Sequence, residues 1–271
     1  MNTRTNIAYR YDGSFEGFLC CVFESYTKKE VPSLIFPEDE PQYSLYPEKW
    51  IETDAENADR VFVSLSRRIS PQASDLVLVG FLSCVPERER LLYRFIRMGY
   101  RYGAQVCDWL ADDTVHILRK AADSASHEAH LLTGFVRFSE QNGTLAAIIT
   151  PKNRVLPLMR EHFCGRFNGE TFLIYDKTHR MALIHRPGED AIVPLDSFSL
   201  EQPDETEAHF RALWKRFYNT IGIEGRHNPK CRMTMMPTRY WENMTEFTGP
   251  SLPNGAAGPA RFAASGNQKL L

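Results

Sequence analysis

The sequence predicts an α+β fold, with antiparallel mid-chain β-hairpins bracketed by helices. Residues 55–126 have helical spacing and carry capping signals. From Leu131 onward, short apolar runs alternate with turn sequences, as is typical of strands. Helices and strands in separate blocks favour α+β over repeated βαβ units.

The chain begins with a predicted strand and a capped helix. Apolar and polar residues alternate over 7–11 and stop at Asp12-Gly13, which predicts a half-buried strand and a turn. Ser14 is a favourable N-cap for the helix that follows. Residues 32–54 are rich in proline and acidic side chains, and we expect an irregular, exposed connection there.

Three helices are predicted next. Ser70-Pro71 combines an N-cap with proline at the first helical position, ahead of a very apolar segment. A second helix begins near Pro86 and ends at Gly103. Residues 104–125 again show helical spacing.

Two hairpins and a further helix complete the predicted domain. Asn142-Gly143 suits a primed turn between the apolar runs 134–140 and 144–151. A short helix over 156–164 precedes a second hairpin, formed by 170–176 and 180–186. A strong helix is predicted over 204–221. We expect one domain over 1–247 and a disordered tail over 248–271, which lacks apolar periodicity.

Composition describes an ordinary globular protein. The chain has 271 residues, 43% of them hydrophobic, and a net charge of −2, so any nucleic-acid site must come from a local patch. The most apolar window, residues 76–85, is too short to span a bilayer, and no signal peptide is evident. We therefore expect a cytoplasmic protein that does not engage the membrane.

Several functional classes lack their sequence signatures. The six cysteines form no CxxC, and no GxGxxG, GxxxxGK[ST] or GxSxG occurs. The zinc-deaminase motif and an iron-sulfur CxxxCxxC are also missing. The sequence thus predicts neither a cofactor nor a metal site.

A basic stripe is the first candidate site. Arg90, Arg94, Arg97 and Arg101 follow spacings of four, three and four, which places them on one helix face. Leu92, Phe95, Ile96 and Tyr102 are expected toward the other side. The stripe is either a solvated or salt-bridged face or a surface for an anionic partner, which would relieve the mutual repulsion of the arginines.

A second basic region occupies residues 211–239, where seven Lys and Arg side chains accompany one acid, Glu224. Cations interleaved with aromatic rings are typical of single-strand or flipped-base recognition. The alternative is structural, and the helix-face spacing of Trp214, Phe217, Tyr218 and Ile221 favours a core role for them. The predicted nucleic-acid contacts here are Arg226, Asn228, Lys230, Arg232, Arg239, Tyr240 and Trp241, with Tyr240 and Trp241 also expected to anchor the segment.

The histidines give weaker signals. His127-Glu128-Ala129-His130 does not meet the HExxH spacing, and a surface pair is the favoured interpretation, although His130 could act as an acid or base. His179 and His185, with Asp176, could form a metal or catalytic group in the second hairpin, but an ordinary hairpin is favoured.

Three stretches together resemble a known family. They are YDGSFEGFLCCVFESY, EAHLLTGFVRF and RHNPKCRMTMMPTRYWENMTEF, and the resemblance extends over residues 6–247. The family is bacterial, is linked to DNA metabolism and repair, and has an unknown biochemical function. Its members occur alone, beside a radical S-adenosylmethionine protein of DNA repair, or fused to a uracil-DNA glycosylase-like domain. The residues that match its motifs are Tyr11, Asp12, Gly13, Phe15, His130, Gly134, Arg137, Asn228, Pro229, Met236, Pro237, Arg239, Tyr240 and Trp241.

The resemblance implies a DNA-repair setting but supplies no reaction. The leading hypothesis is an accessory protein that binds DNA and partners the radical S-adenosylmethionine enzyme. An alternative is an enzyme acting on a base or nucleotide, in which Asp12, His130 and Arg137 converge in a cleft. A second alternative is a protein-interaction module. Whether the two basic regions share one surface stays open.

Overall fold

The computed structural model describes residues 6–39, 44–200, 202–221 and 228–248. The strands are β1 Ala8–Tyr11, β2 Leu34–Pro37, β3 Glu48–Trp50, β4 Ser139–Gln141, β5 Thr144–Ile149, β6 Phe172–Asp176, β7 Met181–Arg186 and β8 Glu189–Pro194. The helices are α1 Phe15–Thr27, α2 Ala55–Arg68, α3 Pro71–Leu82, α4 Arg88–Tyr102, α5 Asp113–Phe135, α6 Leu156–Arg166, α7 Glu205–Ile221 and α8 Pro229–Met235. Among the described residues, 3₁₀ helices span Gly103–Asp108 and Thr238–Asn243.

The chain mixes helices and strands, but its sheets are not a simple set of antiparallel hairpins. The first sheet has the order β2-β1-β3 and is entirely parallel. The second has the order β4-β5-β6-β7-β8, with β5 and β6 parallel and the other neighbours antiparallel. Both predicted hairpins form, yet α6 joins them as a parallel crossover. The purely antiparallel prediction was therefore wrong.

Local capping signals account for several of the predicted boundaries. Ser14 accepts a hydrogen bond from Gly17 N at the start of α1, and Ser70 accepts one from Ala73 N at the start of α3. Asn142 and Gly143 both have positive φ in the β4–β5 turn, as a primed turn requires. Helix α5 continues beyond its predicted end to Phe135.

Two hydrophobic cores are joined by α5. The first lies between β1 and helices α1 to α4 and takes Val115 and Leu118 from the beginning of α5. The second lies between the five-stranded sheet and α6 and takes Ala129 and Leu132 from the end of α5. One helix thus contributes to both cores. Within the described ranges, no helix is both long and apolar enough to cross a membrane.

The last elements surround the second core. Helix α7 buries none of its residues, so the prediction that its aromatic face belongs to the core was wrong. The 3₁₀ helix Thr238–Asn243 contacts β5, and Tyr240 and Met244 are both buried in the core. The predicted tail from residue 249 onward lies outside the described residues.

Candidate nucleic-acid interface

Helix α4 carries the arginine stripe on its outer face. Burial of Leu92, Phe95, Ile96 and Gly99 fixes the orientation of the helix on the first core. A Cβ at Gly99 would come within 3.0 Å of Ile69 Cγ1, so this face of α4 packs closely on the end of α2. The side chains of the stripe consequently point away from the core, as their spacing predicts.

All four stripe arginines line one open cleft of about 660 Å³. Four tyrosines line the same cleft, and within the described part of the chain its lining includes no Asp or Glu. Helix α1, the segment before β2 and helix α4 each contribute to it. The full lining is Tyr26, Val31, Pro32, Ser33, Arg90, Tyr93, Arg94, Arg97, Met98, Tyr100, Arg101 and Tyr102.

The four arginines differ in how far they are already neutralised. Arg90 pairs with Glu87 one helical turn away, and Arg94 lies 3.8 Å from Asp112. Arg97 donates to Tyr93 Oη at 3.2 Å, and the Arg101 guanidinium lies 5.0 Å from the centre of the Tyr102 ring. In the described part of the chain, neither of these last two pairs with a carboxylate. They are the cations most available to an anionic ligand.

The tyrosines supply both stacking faces and neutral donors. Tyr26 is 45% exposed and Tyr102 39% exposed, so both rings can be reached from solvent. Tyr26 packs edge-on against Tyr100 at 5.3 Å. Burial raises the pKa of Tyr26 to about 12. The positive charge of Arg97 opposes this increase, and the neighbouring Tyr93 and Tyr100 add to it. Its hydroxyl therefore stays protonated at neutral pH and can donate to a phosphate oxygen.

Sequence reasoning found the arginines but missed the aromatic half of this cleft. Tyr102 was expected on the opposite side of α4, whereas it lines the cleft beside Arg101. Tyr93 precedes Arg97 by one helical turn, a spacing that could have indicated its position. Tyr26 arrives from α1, and no local pattern in α4 could have revealed it.

The second basic region is largely occupied by contacts within the protein. The guanidinium of Arg232 lies 5.1 Å from the centre of the Trp241 ring, and Trp241 stacks on Phe247 at 4.4 Å. Trp241 also donates to Met236 O, which confirms its role in anchoring the segment. Lys230 is exposed and has no ion-pair partner among the described residues.

Two of the predicted contacts in this region have structural roles instead. Tyr240 is only 2% exposed, so its ring cannot stack on a base and that prediction was wrong. Its role as an anchor is confirmed. The Asn228 side chain caps α8 by accepting from Cys231 N at 3.0 Å. Arg226 lies outside the described residues.

A buried carboxylate explains why Arg239 and Tyr240 are held in place. Glu128 accepts hydrogen bonds from Tyr240 Oη at 2.6 Å and from Arg239 at 3.2 Å. It also accepts from the backbone of Lys152 and from the backbone and side chain of Asn153. Burial by itself raises the pKa of Glu128, but these hydrogen bonds outweigh it and the net pKa is lowered. Glu128 therefore remains ionised as a structural centre.

The structure places the three residues of the catalytic hypothesis in separate surroundings. Asp12 accepts from Ser14 N and Oγ and, through its other oxygen, from Thr53 Oγ1. Arg137 makes a two-point pair with Glu246, at 3.1 and 2.7 Å. His130 is exposed on α5. Asp12 caps a turn at the first core and Arg137 is paired at the second, so this geometry does not support a shared cleft.

The hairpin histidines also fall into different environments. His179 lies in the turn between β6 and β7, where its Nδ1 is 2.6 Å from Asp176 Oδ2. His185 lies near the other end of β7, stacked on Phe172 at 4.9 Å. His179 and His185 therefore do not form one group with Asp176, which agrees with the favoured interpretation of an ordinary hairpin.

Comparison with known proteins places the chain in a family without assigning it an activity. Residues 86–246 match the family described as DUF4130, a domain of unknown function. A comparison with curated proteins gives no match. The matched segment begins two residues before α4 and ends at Glu246, so it includes the arginine stripe and the whole second core. Because the match covers more than half of its length, the chain belongs to the DUF4130 family.

Proposed function

We propose that the protein binds single-stranded DNA through the cleft between α1 and α4. The observation that supports this proposal is the convergence of four arginines and four tyrosines on one cleft, with no carboxylate among the described residues that line it. Guanidinium groups contact phosphates, while exposed tyrosine rings stack on bases irrespective of sequence. The open shape of the cleft suits an extended strand better than an enclosed small molecule.

We propose that the protein acts in DNA repair, as an accessory to a radical S-adenosylmethionine enzyme. The support is the family resemblance carried by the motifs around Asp12, His130 and Tyr240. The chain has no cluster-binding CxxxCxxC of its own, so radical chemistry would belong to the partner. We expect the two purified proteins to form a complex that single-stranded DNA strengthens, measured by analytical ultracentrifugation.

The test of DNA binding is a fluorescence titration against labelled single- and double-stranded oligonucleotides at several salt concentrations. Four phosphate contacts predict a slope of about −2.8 in log K against log salt for single strands. The double variant Arg97→Ala/Arg101→Ala should lower the magnitude of that slope by about 1.4. Arg67→Ala is the matched control, because Arg67 is an exposed helical arginine outside the cleft.

A second variant separates stacking from charge. Tyr102→Ala should weaken binding by about 1 to 3 kcal/mol at every salt concentration and leave the slope unchanged. Equal losses in Arg67→Ala and the double variant would reject the cleft as the binding site. Tighter binding of polyglutamate than of DNA, unaffected by Tyr102→Ala, would instead assign the cleft to an acidic protein partner.

A further inference from the structure

Three potential metal ligands meet outside the cleft, between α6 and the β7–β8 hairpin. The ligand atoms of Cys164, His185 and Asp190 all lie within 4.8 Å of one another. A thiolate, an imidazole and a carboxylate are the ligand types that Zn²⁺ takes in proteins. No sequence pattern indicates this group, since its members are separated by 20 and 4 residues and belong to no known motif.

The fold brings these side chains together by simple geometry. His185 and Asp190 are directly opposite each other in the antiparallel pairing of β7 with β8, so their side chains lie on the same face. Helix α6 contacts both strands and presents Cys164 to that face. Arg160 precedes Cys164 by one helical turn and pairs with Asp190, which confirms the orientation of the helix.

His185 is the residue that points most directly to a ligand. It is only 5% exposed, and neither Nδ1 nor Nε2 has a hydrogen-bond partner among the described residues. Its ring stacks on Phe172, which covers one face and leaves the nitrogens at the ring edge. Buried polar groups without partners are rare in folded proteins because each one costs free energy. A metal ion would satisfy one of the two nitrogens.

We propose that Cys164, His185 and Asp190 form a Zn²⁺ site. Tetrahedral zinc with bond lengths of about 2.0 to 2.3 Å separates its ligand atoms by roughly 3.3 to 3.8 Å. The ligand atoms lie up to 4.8 Å apart, so we expect the side chains to move inward by about 1 Å when the ion binds. Cys164 and Asp190 are half-buried and give the ion a path from solvent. Three protein ligands leave a fourth position for water, as in zinc sites that are not purely structural.

The positive charge of Arg160 opposes cation binding at this site, so its removal should increase the affinity for Zn²⁺. Its guanidinium neutralises one oxygen of Asp190 and competes with a bound cation. Replacing Arg160 with alanine should tighten Zn²⁺ binding roughly two- to fivefold, the strength of a partly exposed ion pair. A purely structural role for the group would instead leave metal affinity unmeasurable in both proteins.

The primary experiment titrates chelator-treated full-length protein with Co²⁺, a spectroscopic substitute for Zn²⁺. We expect one equivalent to bind, with a thiolate-to-cobalt charge-transfer band in the near ultraviolet, and Zn²⁺ to displace it. Cys164→Ser should abolish the band and weaken binding by on the order of tenfold or more. The matched control is Cys84→Ser, because Cys84 is an exposed cysteine that does not belong to the group.

Thermal unfolding provides a second measurement of metal binding, which also applies to variants of low stability. Zn²⁺ should raise the unfolding temperature of the wild-type protein in a concentration-dependent manner, because the ion binds only the folded state. At the same Zn²⁺ concentration, that increase should be larger in Arg160→Ala and smaller in Cys164→Ser. Wild-type protein that binds no Co²⁺, or a charge-transfer band that survives in Cys164→Ser, overturns the proposal. Neither result depends on DNA binding, so this test and that of the proposed function can fail separately.

Discussion

At the residue scale, several residues of the segment YDGSFEG determine the backbone conformation at the start of α1. Gly13 has a φ of 82°, which a residue with a side chain rarely adopts. Asp12 accepts from Ser14, and Ser14 in turn accepts from Gly17 N. Asp12, Gly13, Ser14 and Gly17 are therefore explained by the geometry of a turn and a helix cap.

Gly17 is the position in this segment that tolerates a side chain least. A Cβ there would lie 2.8 Å from Thr53 Oγ1 and 2.9 Å from Tyr11 Cδ2, and closer still to Asp12 Oδ1. Tyr11 is fully buried, so its ring cannot easily move away. We expect Gly17→Ala to lower the free energy of unfolding by about 1 to 3 kcal/mol, measured by urea denaturation.

The matched control is another helical glycine, Gly134. A Cβ at Gly134 meets no atom within 4 Å, so the substitution gains helix propensity without a clash. Gly134→Ala should raise stability by up to about 1 kcal/mol. If both glycine variants changed stability in the same direction, close packing at Gly17 would not be the cause.

At the element scale, helix α7 is attached to the protein by a few contacts rather than by burial. Phe210, Phe217 and Ile221 are all exposed. Arg211 donates to Ser139 Oγ at 2.6 Å, and Trp214 Nε1 donates to Glu246 at 3.0 Å. Such a helix should open locally at a lower free energy than the core.

Removing Arg137 should release α7 without unfolding the first core. Arg137 holds Glu246 by two hydrogen bonds, and its guanidinium lies 5.2 Å from the centre of the Trp214 ring. In Arg137→Ala, the buried Glu246 loses its ion pair, a change that costs about 3 to 5 kcal/mol in buried pairs. We expect hydrogen exchange of α7 and of residues 238–248 to accelerate at least tenfold, measured by mass spectrometry.

The exchange of α2 and α3 should stay unchanged in that variant, since neither element contacts the Arg137 pair. Arg67→Ala, which removes an exposed arginine of α2, serves as the control. Uniform acceleration throughout the chain would mean that the two cores unfold together and that α7 is no separate unit.

Short sequence patterns predicted those helix starts and turns that depend only on neighbouring residues. The caps at Ser14 and Ser70 and the Asn142-Gly143 turn were readable because each depends on a few neighbouring residues. Strands β2 and β3 were missed because both take their form from parallel pairing with β1, across a segment rich in proline and acid. The predicted irregular connection over 32–54 was therefore wrong at these two strands, whereas the other described residues of this segment form no helix or strand.

The same distinction applies to the candidate sites. The arginine stripe follows from the period of one helix, so sequence alone located it. The tyrosines of the cleft come partly from α1, and the Cys164, His185 and Asp190 group comes from three elements. Tertiary contacts of this kind leave no pattern in a single sequence.

At the scale of the whole molecule, one polar chain links the two cores beside α5. Asn153 donates to Glu128 through its amide and accepts from Cys84 N through its oxygen. Cys84 follows α3 of the first core, whereas Glu128 supports the second. The backbone of Arg154 also donates to Leu82 O at 2.8 Å. The second core is therefore fastened to the first at the loop after β5.

Two buried carboxylates should make the stability of this arrangement sensitive to acid. Burial raises the pKa of Glu246, but the Arg137 and Trp214 hydrogen bonds outweigh it, so its net pKa is lowered like that of Glu128. A lowered folded-state pKa contributes stability that is complete above the unfolded value, about 4.3 for Glu. That contribution is lost as the pH falls through the folded value. The free energy of unfolding should therefore decrease steadily below about pH 5.

The double variant Glu128→Gln/Glu246→Gln tests this assignment. At pH 7 it should lose roughly 3 kcal/mol or more, because hydrogen bonds to two charged groups are weakened. Its stability should then fall less steeply than that of the wild type between about pH 5 and pH 3, since neither amide titrates. Urea denaturation across this pH range measures both effects, with the exposed Glu161→Gln as the control that keeps the wild-type slope. If these two carboxylates are responsible, linkage between protonation and unfolding requires the free energy of unfolding to depend less steeply on pH in the double variant than in the wild type. Equal slopes in the two proteins would therefore place the acid-sensitive groups elsewhere in the molecule.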